Sequence, residues 1–287
     1  MAQYAMRCQQ AQRVIDFVDI DSDKWQQYAE KKHWPMSWLY SRESRLLLAY
    51  ERKVAQEFNA SLFVSQAEAE LFKQLAPESK SKTGFFNNGV DIDYFSPERK
   101  YPDPYPADEV AIVFTGAMDY WPNIDAVQWF AQEVMPSIIS KHPNARFYIV
   151  GSRPSAQVQA LAKLPGVLVT GSVPDIRPYL AHAHLAVAPL RIARGIQNKV
   201  LEAMSMAKTV VVSPQALEGI DAEPDRELIL AKDSAQFVTA ITSLLAKKSD
   251  HMGLRARQKI INRYGWENNL ACIATLLDTS LSIKESS

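Results

Sequence analysis

The sequence is poor in cysteine, has no excess of either charge and contains no long apolar run. Its two cysteines, Cys8 and Cys272, lie far apart and form neither a metal-ligand pattern nor a disulfide framework. They read as buried, reduced thiols of a cytoplasmic protein. Lys+Arg and Asp+Glu each total 32, so the bulk basic footprint of a nucleic-acid binder is missing and any anion binding must be local. No apolar stretch approaches the roughly 18 residues needed to span a bilayer. The opening residues, MAQYAMRCQQAQR, are polar, unlike a secretory signal. There is no internal repeat. His33, His142, His182, His184 and His251 make no metal constellation. No G-x-G-x-x-G follows any strand, which disfavours a dinucleotide oxidoreductase.

What is present is alternation of strand and helix. From Val110 onward, AIVFTG, RFYIVG, VLVTG, HLAVAPL, TVVVS and ELIL read as buried strands, separated by helical segments. That order predicts a doubly wound parallel sheet whose ligand sits beyond the carboxyl ends of the strands. Those ends are Thr115-Gly116, Gly151-Ser152, Thr170-Gly171 and Pro189-Leu190. The first hundred residues repeat the pattern with only three strands, RVIDFVDID, ASLFVS and KTGFFNNGV. YPDPYPADE reads as a linker, with a boundary near Pro104. Residues 1–104 are therefore expected to form one domain, 105–264 a second, and 265–287 a helix crossing back toward the first.

The stretch ARGIQNKVLEAM carries the strongest chemistry. A strand ends at Leu190, a loop follows with Arg191, Arg194 and Gly195, and a helix is predicted from about Ile196. A helix N-terminus offers free N–H groups and a positive dipole end to an anion. Arg194 adds a guanidinium fork and Lys199 a point charge. Glu202 follows one turn later, roughly 9 Å from such a diphosphate, where a carboxylate would accept from a ribose diol.

LEAMSMAKTVVVS resembles the LEAMA-x-G-x-PVV segment of the retaining glycosyltransferases of the GT-B fold (family 4-like, glycosyl transferases group 1). FFNNGVDIDYFSP resembles that family's interdomain segment and adds Asn88 and Gly89. VTGSVPDIRPYLAHAHLAVAPL resembles its base-binding segment, near Val173. The resemblance implies a GT-B architecture of two Rossmann-like domains, the N-terminal one incomplete. It implies a nucleotide-sugar donor and a saccharide or lipid-linked acceptor. No cofactor is expected, and no metal if side chains supply the positive charge. Glu202 matches the second of two family glutamates, and Arg194 stands where the first is expected. After Gly116, Met118 and Asn123 stand where the family has Arg and Lys. Arg194 and Lys199 are therefore read as relocated phosphate ligands. Gly116, Met118, Arg153, Gly195 and Ile196 complete the expected donor site.

G-x-M-x-Y-x-P-N with R-G-x-x-x-K-x-L-E is most similar to the sugar transferases found beside PEP-CTERM/exosortase exopolysaccharide loci. Members of that group carry a longer N-terminal segment, so the chain is expected to begin mid-domain. Asp19 and Asp21 end the first strand and are candidate sugar or acceptor contacts, or caps of a helix near Trp25. Ser65 and Glu68 read as a capping box or a family site. KKHWPMSWLYSRESRLLLAYERK is either a packed helix with snorkelling cations or a peripheral contact with anionic lipid on the cytoplasmic membrane face. A nucleotide-sugar epimerase and a non-catalytic binding remnant are the alternatives.

Overall fold

The computed structural model describes residues 2–8, 10–86, 88–193, 195–246 and 251–277. The chain divides into two compact units, Met1–Asn88 with Glu267–Ser287, and Gly89–Trp266. Among the described residues no helix is long and apolar enough to cross a membrane.

The first unit holds α1 (Ala2–Ala5), β1 (Val14–Val18), α2 (Asp21–Glu30), α3 (Met36–Glu57), β2 (Ala60–Phe63), α4 (Gln66–Leu75), a short 3-10 turn and β3 (Thr83–Phe85). The strands pair in parallel in the order β1-β2-β3. A core of Ile20, Ala55, Phe63, Ala69 and Phe72 fills the space beneath them, with Phe17 packed against it. The Phe63 ring lies 4.8 Å from that of Phe72 and 5.4 Å from that of Phe17. Cys8, expected to be buried, is exposed, because the chain around it joins neither core.

Two buried carboxylates pin the turn that follows β1. Glu51, inside α3, accepts from the Ser22 N–H at 3.1 Å and from the Ser22 hydroxyl. Glu68 accepts from the Ile20 N–H at 3.0 Å. The Ser65 hydroxyl caps α4 by accepting from the Glu68 N–H, so the sequence signal of a cap is borne out there. The Glu68 carboxylate also reaches across to another element. Burial pushes the Glu51 carboxyl up, against the Ser22 hydrogen bonds that lower it. The folded chain then holds that proton more tightly than the unfolded chain. Stability relative to Glu51→Gln should therefore fall as pH rises above the ordinary value of 4.5. Thermal unfolding of both proteins across pH 4 to 8 checks the sign.

The second unit holds β4 (Val110–Thr115), α5 (Trp121–Trp129), a π turn (Phe130–Val134), α6 (Met135–Lys141), β5 (Ala145–Val150), α7 (Ala156–Ala160), β6 (Val167–Gly171), α8 (Arg177–His182), β7 (Leu185–Ala188), α9 (Asn198–Ser205), β8 (Val210–Val212), α10 (Pro214–Leu217), β9 (Ile229–Leu230), α11 (Ser234–Ala246) and α12 (Met252–Arg263). A last helix, α13 (Trp266–Leu277), starts at the end of this unit and continues in the first. The helical run that starts at Trp121 is interrupted by the π turn. Pro136 has no N–H for the Gln132 carbonyl, and widening the preceding turn accommodates the loss.

All six strands are parallel, in the order β6-β5-β4-β7-β8-β9. The chain therefore reverses direction across the sheet between β4 and β7. Parallel sheets of this kind open a crevice at that reversal, beyond the carboxyl ends of the two strands. His182 and His184 are structural: His182 Nε2 lies 2.8 Å from the Tyr101 carbonyl, and the Ala111 N–H donates to His184 Nδ1.

The boundary read at Pro104 moves to Asn88/Gly89. Residues between these points are proline-rich, yet their aromatics pack on the second core. Phe95 and Tyr101 lie against it, and the Tyr105 hydroxyl donates to the Tyr179 carbonyl at 2.7 Å. Val90 also pairs with Gly265.

Candidate nucleotide-sugar site

A cavity of about 410 Å³ opens at the reversal point, a size typical of small-molecule sites. Thr115, Gly116 and Ala117 contribute from the end of β4, Gly151 and Ser152 from the end of β5, and Ser172, Val173 and Ile176 from the segment after β6. Asn198, Lys199 and Glu202 contribute from α9, and Asn123 from α5. Every described lining residue belongs to the second unit.

Among the described residues, Lys199 and Glu202 are the two charged residues of this lining. Three positions apart on a helix, they share one face. Asn123 is almost fully buried. Its Nδ2 donates to the Ala117 carbonyl at 2.9 Å, and its Oδ1 accepts from Lys199 Nζ. The ammonium also sits 4.6 Å from the centroid of the Phe114 ring. A buried amide and an aromatic face thus hold it in one place, with no ion pair among the described residues. Desolvation lowers the Lys199 pKa to about 8, partly offset by the Glu202 charge. Burial pushes the Glu202 carboxyl up, and Lys199 pulls it back. Lys199 is still an ammonium at neutral pH, and a buried cation with a carboxylate one turn along the helix suits an anionic, hydroxyl-bearing guest.

The glycines hold the cavity floor in place. A Cβ on Gly151 would come within 1.7 Å of the Gly116 carbonyl oxygen, and one on Gly116 within 2.8 Å of Asn123 Nδ2. The ends of β4 and β5 approach so closely that no side chain fits between them.

Of the expected donor residues, Gly116, Val173, Lys199 and Glu202 line the cavity. Met118 does not: it is fully buried in the core, and its backbone ties the loop after β4 to Ser152 and Ser155. Arg153 is exposed and ion-paired to Asp119 at 2.9 Å. Ile196 precedes α9, which starts at Asn198, and is buried beside Gly219. Gly195 is buried in a left-handed conformation, φ 65°. Gly89 is covered by the Trp266 indole, which a Cβ would meet at 2.6 Å. Asn88 is half-buried at the end of the first unit. Arg194 lies outside the described residues.

Arg191, in the same loop, grips Asp125 of α5 through two hydrogen bonds and so braces the loop. Asp19 and Asp21 belong to the first unit, where Lys24 binds both, at 2.8 and 3.2 Å. Against the penalty of its own burial, the hydrogen bond and charge of Asp19, then those of Asp21, push Lys24 up to about 12. The two carboxylates thus share one cation within their own turn. Sequence reasoning missed Asn123 as the partner of Lys199. The signal was an asparagine just inside a helix start after a strand.

Residues 109–247 match the glycosyl transferases group 1 family. The group 1 match runs from the start of β4 through α11 and takes in every residue lining the cavity. Sucrose-phosphate synthase from Thermosynechococcus elongatus superposes with a TM-score of 0.65 at 18% identity, over 83% of this chain and 62% of that one. A glycosyltransferase from Rickettsia africae gives 0.68 at 13%, over 97% and 80%. Anabaena HepE, in complex with UDP and glucose, gives 0.63 at 16%, over 96% and 71%. The chain thus spans under two thirds of the synthase. No curated protein sequence matches. These likenesses establish an α/β fold of parallel sheets, that of the GT-B glycosyltransferases.

Proposed function

We propose that this chain is a glycosyltransferase. It takes a sugar from a nucleotide-sugar donor to a saccharide or lipid-linked saccharide acceptor, with retention of configuration, in building an exopolysaccharide. The observation that carries the reading is the placement of Lys199 and Glu202 on one face of α9, inside a cavity at the reversal of a six-stranded parallel sheet. Lys199 takes the donor diphosphate, and Arg194 joins it on sequence grounds. As the bond to the sugar breaks, negative charge grows on the leaving phosphate. A cation already fixed there stabilises that charge without reorganising. Glu202 accepts from the ribose hydroxyls. The backbone at Val173 meets the base. The group 1 match over this unit and the UDP and glucose bound by the similarly folded HepE support the assignment. Retention and the exopolysaccharide role rest on the sequence motifs.

The test is a panel of nucleotide sugars, each incubated with and without saccharide acceptors. Release of nucleoside diphosphate coupled to a lengthened acceptor is expected. An altered but untransferred sugar would point to an epimerase, and binding without turnover to a binding protein; either outcome overturns the proposal. Glu202 has its own readout. Wild-type protein should prefer a ribonucleoside diphosphate over its 2′-deoxy form by on the order of tenfold, as expected for a hydrogen bond to a charged group. Glu202→Ala should bind both alike in calorimetric titration.

A further inference from the structure

The turn between α2 and α3 is exposed at every position from Lys31 through Met36. Trp34 is 81% accessible and Trp38 is 59%. A tryptophan exposes a large apolar surface at a cost in water, and two within five residues are not a scattered surface hydrophobe. The apolar surface continues along α3 through Leu39, Leu46 and Tyr50, all exposed. α3 buries Ser44, Glu51, Val54 and Ala55. At 3.6 residues per turn, Trp38, Leu39 and Leu46 fall on the side away from that buried stripe, and Tyr50 lies at its edge, one turn before Val54. Arg42 and Arg45 lie on that same outward face and are exposed. Arg42 pairs with Glu43. Lys31, Lys32 and Arg45 have no acidic partner among the described residues.

We propose that this helical tip and the outer face of α3 dock on the headgroup layer of an anionic lipid bilayer. Cores of protein–protein interfaces take tryptophan but are depleted in lysine. A lipid interface takes both: the indoles settle at the boundary between headgroup and acyl chain, and the flanking cations meet anionic headgroups. The turn is exposed at all six positions from Lys31 to Met36, as insertion into a headgroup layer requires. The inference stands independently of the reading of the cavity. If both hold, the surface brings the enzyme to a lipid-linked acceptor.

The experiment is co-sedimentation of the whole chain with vesicles of phosphatidylcholine alone or with about one third phosphatidylglycerol, with tryptophan emission read in the same samples. Binding is expected to the anionic vesicles, weakened by salt, with a blue-shifted emission quenched by lipids brominated near the headgroup. Lys31→Glu/Lys32→Glu should reduce partitioning on the order of tenfold or more. Trp34→Ser/Trp38→Ser should abolish the blue shift. The replaced residues are exposed, so melting temperatures should hold within a few degrees. The proposal is overturned if wild-type protein stays in the supernatant with anionic vesicles, or if both variants bind as it does. It is also overturned if vesicle-free protein is a dimer that Trp34→Ser/Trp38→Ser dissociates, for then a second copy covers the patch. The wild-type quenching reads the outcome even if a variant misfolds.

Discussion

Lys199→Met should weaken binding of nucleoside diphosphates by on the order of tenfold to a hundredfold, the scale of a hydrogen bond to a charged group. It should also remove a pH dependence that the wild-type protein shows. In the free protein Lys199 titrates at about 8. A diphosphate binds the ammonium, so wild-type affinity should be level below that pH and decline above it, by up to about tenfold per pH unit. The methionine variant should lack this decline. Stability gives a second sign. The folded pKa lies below the ordinary 10.5, so the folded chain releases its proton first as pH rises. The ammonium's burial penalty is therefore fully present below about pH 8 and relieved between 8 and 10.5. Without ligand, the methionine variant should melt no lower than wild type at neutral pH. Loss of binding with an undisturbed melt would place the defect at the phosphate rather than in the fold. Calorimetric titration across pH, paired with thermal melts, makes the measurement.

Gly151→Ala should damage both stability and binding. The added Cβ would lie 1.7 Å from the Gly116 carbonyl oxygen and 2.8 Å from its carbon. Backbone atoms cannot turn aside as a side chain tip does. Either β4 or β5 must shift at its carboxyl end, which displaces Gly116 and the Asn123 amide that seats Lys199. Overpacking of this kind costs about 3 kcal/mol or more, and in a unit of this size that is roughly 6–12 °C in Tm. Nucleotide affinity should fall with it. Gly171→Ala is the contrast. Its Cβ meets nothing within 4 Å, but its φ of 71° is left-handed, so the cost is about 1 kcal/mol of backbone strain. A Gly151 variant no worse than the Gly171 variant in denaturant or thermal unfolding would mean the strands are not held as described.

Lys199 and Glu202 could be placed from the sequence because α9 follows a buried strand, and the carboxyl ends of such strands form the crevice. The strands of the second unit were equally readable, since runs such as VAIVFT and ARFYIV are apolar without alternation. What could not be read were contacts between distant positions. Asn123 meets Lys199 across 76 residues, and Arg191 meets Asp125 across 66. Met118 stood where a phosphate ligand was expected, and only packing shows that it fills core. Phe95, Tyr101 and Tyr105 sit among prolines that signal a linker, so their burial was hidden. Asp19 and Asp21 looked available because Lys24, their partner, is close enough in sequence to pass for part of a charged surface. The outer face of α3 was left open between packing and lipid contact. The helix does pack, through Ser44, Glu51, Val54 and Ala55, while Trp34 and Trp38 stay exposed among the described residues.

The central claim is that the cavity of the second unit binds a nucleoside diphosphate through Lys199 and Glu202. Titration of UDP, GDP, ADP and their monophosphates into wild-type protein, Lys199→Met and Glu202→Ala tests it most directly. Saturable binding of at least one nucleoside diphosphate is expected, weakened in both variants, with the preference for diphosphate over monophosphate lost only in Lys199→Met. Equal binding by all three proteins, or no binding of any nucleotide by the wild type, would contradict it.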